Sequence, residues 1–246
     1  MSVFINRSLN LKHIALVGFD MDHTLVRYDT EAFESLTHRY AARLLVEERG
    51  YPEAVGGLAF DSERALVGLV IDKRNGNLLK LSRYGKVKMA SHGTRPLDFR
   101  VMQSVYQNVA VELSDPAFQP LDTLFAISTG VLFSQLIDMK SGGADLADYA
   151  TIAGDVSRAV DAVHRNGSLK NVVRGDLQRF VIQDPLVPSL LERYKDYGKK
   201  LMIITNSDYE YTRALLEYAL DPFWKNHKGW RDVFDVVITL ADKPRF

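Results

Sequence analysis

Apolar residues along this chain follow two rhythms, and the change between them marks the elements. Three short runs are almost continuously apolar: Ile14–Phe19, Leu201–Ile204 and Val236–Ile238. Runs of that kind suit strands buried on both faces of a parallel sheet, where alternation disappears. Between the second and third runs, Tyr209–Leu220 has helical spacing, with Ser207 or Asp208 as N-cap and Asp221-Pro222 as its stop. Leu186–Tyr197 reads as a helix closed by Gly198. Helix, strand, helix, strand in that order predicts right-handed crossovers and an open α/β sheet.

The stretch 31–179 interrupts this pattern. Ala32–Glu48 is amphipathic, and Leu146–His164 is a second helical stretch that ends near Asn166-Gly167. Between them, LVGLVIDKRNGNLLKLS places Asn75-Gly76 between two apolar runs, a hairpin signal. The greasiest region, Leu121–Ile137, contains Asp122, Ser128, Thr129, Ser134 and Gln135, so it reads as a buried helix or cap element rather than a membrane span. The expected organisation is a core formed by 1–30 and 180–246, with 31–179 inserted after the first strand as a cap.

Composition narrows the chemistry. The 246 residues are 46% hydrophobic and 25% charged, ordinary for a water-soluble protein. Lys plus Arg equals Asp plus Glu at 31 each, which gives no broad pull toward nucleic acid or an anionic membrane. There is no cysteine, so disulfides, thiolate zinc sites and a cysteine nucleophile are excluded. The opening MSVFINRSLNLK has no long apolar stretch after its charges and does not read as a secretory leader.

Asp20 and Asp22 follow directly on the first strand, in FDMDHTL. Ligand sites of open α/β sheets lie at the carboxyl ends of strands. Residues i and i+2 of an extended chain share a side, so both carboxylates are expected to face one point. Two carboxylates so placed suit Mg²⁺, which takes oxygen ligands and often sits between carboxylate and phosphate. Asp20 is then the nucleophile toward phosphorus, Asp22 the proton donor and acceptor, and Thr24 a hydroxyl for the phosphate or a brace for the loop. The plain alternative is two surface aspartates opening a turn. The second strand ends in Thr205-Asn206-Ser207, whose hydroxyl and amide groups suit a phosphate and equally suit an N-cap. Lys243, after the third strand, offers a cation or merely a solvated amine.

In order, these residues resemble the first three signatures of the haloacid dehalogenase superfamily: D-x-D-x-T, a Thr or Ser after the second strand, and a downstream Lys. DMDHTL, FDSERALVGLVID, GNLLK, DAVHRNGSLK, TNSDYEYT and ADKPRF together are similar to the cytosolic purine 5′-nucleotidases that prefer IMP and GMP. The resemblance implies a Rossmann-like parallel α/β core with a cap, a cytoplasmic location and homo-oligomerisation; the balanced charge and the lack of a membrane-length apolar run lead to the expectation of no nucleic-acid or membrane partner. It implies that Asp20 is nucleophile and Mg²⁺ ligand, and that Asp22 is acid/base and Mg²⁺ ligand through its carbonyl. It assigns the phosphate to Thr205, Asn206 and Lys243. Phe125 matches the aromatic that stacks on the purine, and Asp161, His164 and Lys170 match nucleotide-contacting positions. The plain alternatives are a core role for Phe125, a local surface pair for Asp161 and His164, and a solvated Lys170.

Two departures from the family pattern stand out. Ser157 occupies a usual Arg position, with Arg158 one place later and about 100° around the helix. The family's further acidic motif, which completes the Mg²⁺ shell, has no counterpart before Phe246, so the expectation is a truncated chain or, failing that, a Mg²⁺ shell completed otherwise. The expected activity is Mg²⁺-dependent hydrolysis of purine nucleoside monophosphates, with phosphate transfer to nucleosides also allowed. The competing expectations are a phosphatase for another small phosphometabolite and a nucleotide-binding module without catalysis.

Overall fold

The computed structural model describes residues 10–64 and 66–243. Residues 1–9, most of the stretch considered as a leader, and the last three residues of ADKPRF lie outside the described residues. The contacts divide the chain into two compact units, Met1–Asp29 with Val173–Phe246, and Thr30–Val172. In chain order the strands are β1 (Leu16–Phe19), β2 (Arg27–Tyr28), β3 (Leu69–Asp72), β4 (Asn77–Leu81), β5 (Val87–His92), β6 (Arg95–Pro96), β7 (Phe118–Leu121), β8 (Val181–Ile182), β9 (Lys200–Ile204) and β10 (Val236–Ile238).

In the first unit, β1, β9 and β10 form a parallel sheet with β9 in the middle. Ile203 of β9 faces Phe19 on one side and Val237 on the other, which brings three carboxyl ends level. The chain is therefore mixed α/β with a parallel sheet. One expectation fails: the three apolar runs are not all buried on both faces. Only β9 is enclosed, at Leu201 and Ile203, while β1 alternates exposed and half-buried positions and Leu16 and Val236 lie exposed. Among the described residues β1 and β10 are the edge strands, and the Leu186–Asp196 helix packs on the central β9. A parallel neighbour requires a crossover. The Tyr209–Ala219 helix supplies it between β9 and β10, with Asp208 as N-cap accepting from the Tyr211 N–H at 2.9 Å. Its Tyr211, Thr212, Leu215, Leu216 and Ala219 form one buried stripe at helical spacing. The two-residue pair β2·β8 is too short to leave a periodic signal.

The second unit holds a five-stranded antiparallel sheet in the order β6-β5-β4-β3-β7. The β3–β4 turn is the one read from Asn75-Gly76. Gly76 has φ +69°, and a Cβ there would meet the Tyr149 ring at 2.7 Å, so glycine is required twice over. Val70, Leu79, Ala90, Tyr106, Val111 and Phe118 make one apolar cluster. The Thr30–Arg49, Ile127–Ser141 and Tyr149–Arg165 helices pack together. The fully buried Ala41, Ala42 and Ala153 permit close approach. No helix among the described residues is long and apolar enough to cross a membrane.

Candidate active site

The first unit's polar groups gather where its three parallel strands end. Asp20 directly follows β1, and its side chain is 47% exposed. Oδ1 accepts from the Met21 N–H at 2.8 Å and from Lys243 Nζ at 2.8 Å. Lys243 Nζ also donates to the Ile204 carbonyl at 3.0 Å, so the ammonium is fixed at the end of β9. Asn206 and Lys243 clasp each other through main-chain groups: Lys243 N–H to Asn206 Oδ1 at 2.7 Å, and Asn206 Nδ2 to Lys243 O at 3.2 Å. Asp20 Oδ2 accepts no hydrogen bond among the described residues, which leaves one oxygen of the carboxylate open.

Asp22 is held differently. Its Oδ1 accepts from the Tyr28 hydroxyl at 2.5 Å and its Oδ2 from the Ser207 hydroxyl at 3.1 Å. Tyr28 Oη lies 3.2 Å from Tyr211 Oη, so the carboxylate heads a chain of hydroxyls running inward. Burial, and next the Asp22 charge, push both phenols well above their ordinary range, and both remain neutral donors. Ser207 in turn gives its N–H to the hydroxyl of the fully buried Thr205 at 3.1 Å. Thr205 is pinned across the sheet by its own N–H to Ile238 O at 2.9 Å and by Ala241 N–H to its carbonyl at 3.0 Å. Thr24 has an exposed side chain with no hydrogen bond among the described residues, while its N–H closes the turn onto Met21 O at 3.2 Å.

The loops carrying these groups are strained. The described non-glycine residues with positive φ are His23 (56°), Leu240 (51°) and Asp242 (54°), all in the loops after β1 and β10. Each such residue costs on the order of 1–3 kcal/mol and survives only where its surroundings impose it; functional sites collect them. His23 packs its ring 5.0 Å from Tyr28. Burial lowers its pKa, while the Asp20 charge opposes that shift.

The remaining expected residues lie in the second unit. Phe125 sits in the single turn Leu124–Ala126 and meets the His164 ring edge-on at 5.3 Å. Asp161 is 63% exposed and pairs with Arg165 at 3.5 Å, on a shallow cavity of about 400 Å³ that Arg158 also lines. Lys170 is half-buried. Structure thus joins Phe125 with His164 and turns Asp161 to a neighbour on its own helix. Ser157 accepts from Gln119 Nε2 at 2.7 Å, and Arg158 turns to Asp155 at 2.7 Å, so the arginine does not take the serine's place. Sequence reasoning missed Tyr28 and Ser207 as partners of Asp22, and Tyr211 behind Tyr28. TNSDYEYT contains Ser207 and Tyr211, but a hydroxyl just before a helix or in its first turn carries no signal of its own.

An exposed carboxylate, a fixed ammonium and strained loops at the carboxyl ends of a parallel sheet define an α/β protein with a polar site at its strand ends. The family model described as 5′ nucleotidase family matches residues 3–246, and the chain belongs to that family. It is 32% identical over 249 residues to a 5′-nucleotidase domain-containing protein of Dictyostelium discoideum, covering 99% of this chain and 42% of that one. It is 26% identical over 256 residues to 5′-nucleotidase domain-containing protein 2 of Homo sapiens, covering 100% and 48% respectively. The rat protein of the same name matches at 26%, with 45% of its length covered. The chain therefore spans under half the length of these relatives.

Proposed function

We propose that this chain is built as a haloacid dehalogenase-type core with a cap insertion. We further propose that it acts as a Mg²⁺-dependent 5′-nucleotidase on purine nucleoside monophosphates, IMP and GMP, through an aspartyl-phosphate. The observation carrying this reading is the Asp20–Lys243 pair at 2.8 Å, a nucleophile with one open oxygen beside a fixed cation. Asp20 Oδ2 attacks phosphorus, the bond to the ribose 5′ oxygen breaks, and protonated Asp22 delivers its proton to that oxygen. Asp22, now a carboxylate, takes a proton from the water that attacks phosphorus. The bond to Asp20 then breaks and phosphate leaves. A nucleoside hydroxyl in place of water gives phosphate transfer. Tyr28 and Ser207 orient Asp22 throughout, and Asn206 holds Lys243 against the phosphate charge.

Asp20 and Asp22 are the residues that would hold Mg²⁺. The donors are oxygen only, as Mg²⁺ requires, and one or two carboxylates with water and phosphate oxygens usually suffice. No group of three or more His, Cys, Asp or Glu side chains joins them among the described residues. Bound there, the ion would offset negative charge on the transferring group. Thr24, Thr205, Asn206 and Lys243 complete the proposed phosphate site. Phe125, with His164, Asp161 and Lys170, is the proposed purine reader. A cytoplasmic, homo-oligomeric enzyme belongs to the same proposal.

Phosphate release from IMP and GMP, with Mg²⁺ and with chelator, tests it. Mg²⁺-dependent release is expected. A Phe125→Ala variant is expected to raise KM for IMP about tenfold, from loss of one aromatic stack. Full activity in Phe125→Ala would instead mark a phosphatase for another metabolite. Calorimetric binding of IMP with no turnover would mark a binding module.

A further inference from the structure

We propose that Glu34, a buried carboxylate of the Thr30–Arg49 helix, is a positioning residue that fixes Phe125. This rests on the reading of Phe125 as the purine-stacking aromatic.

Glu34 is 1% exposed. Its Oε2 accepts from the Ser128 N–H at 2.9 Å and from the Ser128 hydroxyl at 2.5 Å, and that hydroxyl also lies 3.0 Å from the Glu34 carbonyl. Ser128 is the second residue of the Ile127–Ser141 helix, whose N-cap, Ala126, provides no side-chain cap. The first turn of a helix leaves N–H groups without internal partners and favours negative charge. Glu34 meets both needs from a different helix.

The turn Leu124–Ala126, with Phe125 at its centre, runs directly into that capped end. On the other side, Phe33, the neighbour of Glu34, stacks on His164 at 6.1 Å, and His164 meets Phe125 at 5.3 Å. The contacts close a circuit: Glu34 to Ser128 along the chain to Phe125, then His164, then Phe33 and back. Glu34 Oε1 is buried with no hydrogen-bond partner among the described residues. A carboxylate enclosed at that cost is better explained by what its other oxygen holds in place.

The test compares KM for IMP with KM for p-nitrophenyl phosphate, which needs Lys243 and Asp20 but no base clamp. Glu34→Ala is expected to raise KM for IMP about tenfold more than KM for the aryl phosphate, the scale of one charge-assisted hydrogen bond. Glu34→Gln keeps an acceptor for Ser128 and is expected to restore most of the loss. In a Phe125→Ala background, Glu34→Ala is expected to add less than about twofold, because coupled residues are not additive. Equal KM changes for both substrates, or full additivity with Phe125→Ala, would overturn the proposal. Should Glu34→Ala fail to fold, Ser128→Ala removes one of the two donors and is expected to give a smaller rise of the same selectivity; no selectivity there counts against the proposal. If the wild-type chain releases no phosphate from IMP, the nucleotidase reading fails by itself. IMP affinity by calorimetry then reads the same set of variants.

Discussion

Asp20 and Asp72 are the same side chain in opposite circumstances. Asp20, in the first unit, ends a parallel strand, is half exposed and keeps Oδ2 open. Asp72, in the second, ends an antiparallel strand, is 1% exposed and is saturated. Its oxygens accept from Arg74 N at 2.9 Å, Asn75 N at 3.3 Å, Asn75 Nδ2 at 2.7 Å and the Tyr106 hydroxyl at 2.6 Å. Tyr106 Oη accepts in turn from Asn77 Nδ2 at 2.8 Å, and Asn77 Oδ1 lies 2.9 Å from His92 Nδ1. A carboxylate whose lone pairs are all engaged organises a turn. One with an open oxygen beside a cation is available for chemistry.

Reversing the two roles by mutation gives the largest expected effect. Asp20→Asn should lower phosphate release by at least roughly 10³-fold, as loss of a nucleophile does, while urea unfolding stays near wild type. Asp72→Ala should do the reverse. It strands the Tyr106 hydroxyl and the Asn75 donors, costing about 4 kcal/mol in urea unfolding, with kcat for the aryl phosphate retained in the folded fraction. A stability loss in Asp20→Asn equal to that of Asp72→Ala would erase the distinction.

Glu34 sharpens the comparison through pH. Burial, partly offset by Ser128, raises its pKa from 4.5 to about 7. Between those values the folded state keeps a proton that the unfolded chain has released, so stability falls as pH rises from about 4.5 to about 7. The full span corresponds to about 3 kcal/mol. Glu34→Gln should flatten that part of the stability profile relative to wild type. An unchanged difference between pH 5 and pH 7.5 would deny the raised pKa. A smaller effect is expected for Tyr28→Phe, which removes the phenol donor to Asp22 while Ser207 remains: kcat for IMP should fall about tenfold with KM little changed. Equal loss in kcat and gain in KM would place Tyr28 in substrate binding instead.

How much of this was legible in the sequence depended on where the signal lay. FDMDHTL, TNS and ADKPRF lie beside apolar strand runs, so the order of the candidate site residues could be read from periodicity and turn chemistry. The Asn75-Gly76 turn was legible because only glycine tolerates its φ. The exposed faces of β1 and β10 were not, because an apolar run looks alike whether or not something covers it. Strands β5, β6 and β7 were missed because their sheet buries positions irregularly, as at Lys88 and Met89, which are both exposed. The Tyr28–Asp22–Ser207 arrangement was hidden because Ser207 lies 185 residues from Asp22, and no local pattern reports such a contact.

In the proposed mechanism Asp20 carries the phosphoryl group. Mixing the chain with IMP and Mg²⁺, quenching in acid within the first turnover, and weighing the peptides by mass spectrometry tests it directly. One phosphoryl increment is expected on the peptide containing Asp20, absent in Asp20→Asn. Full turnover with that peptide never modified, or phosphate release surviving in Asp20→Asn, would contradict it.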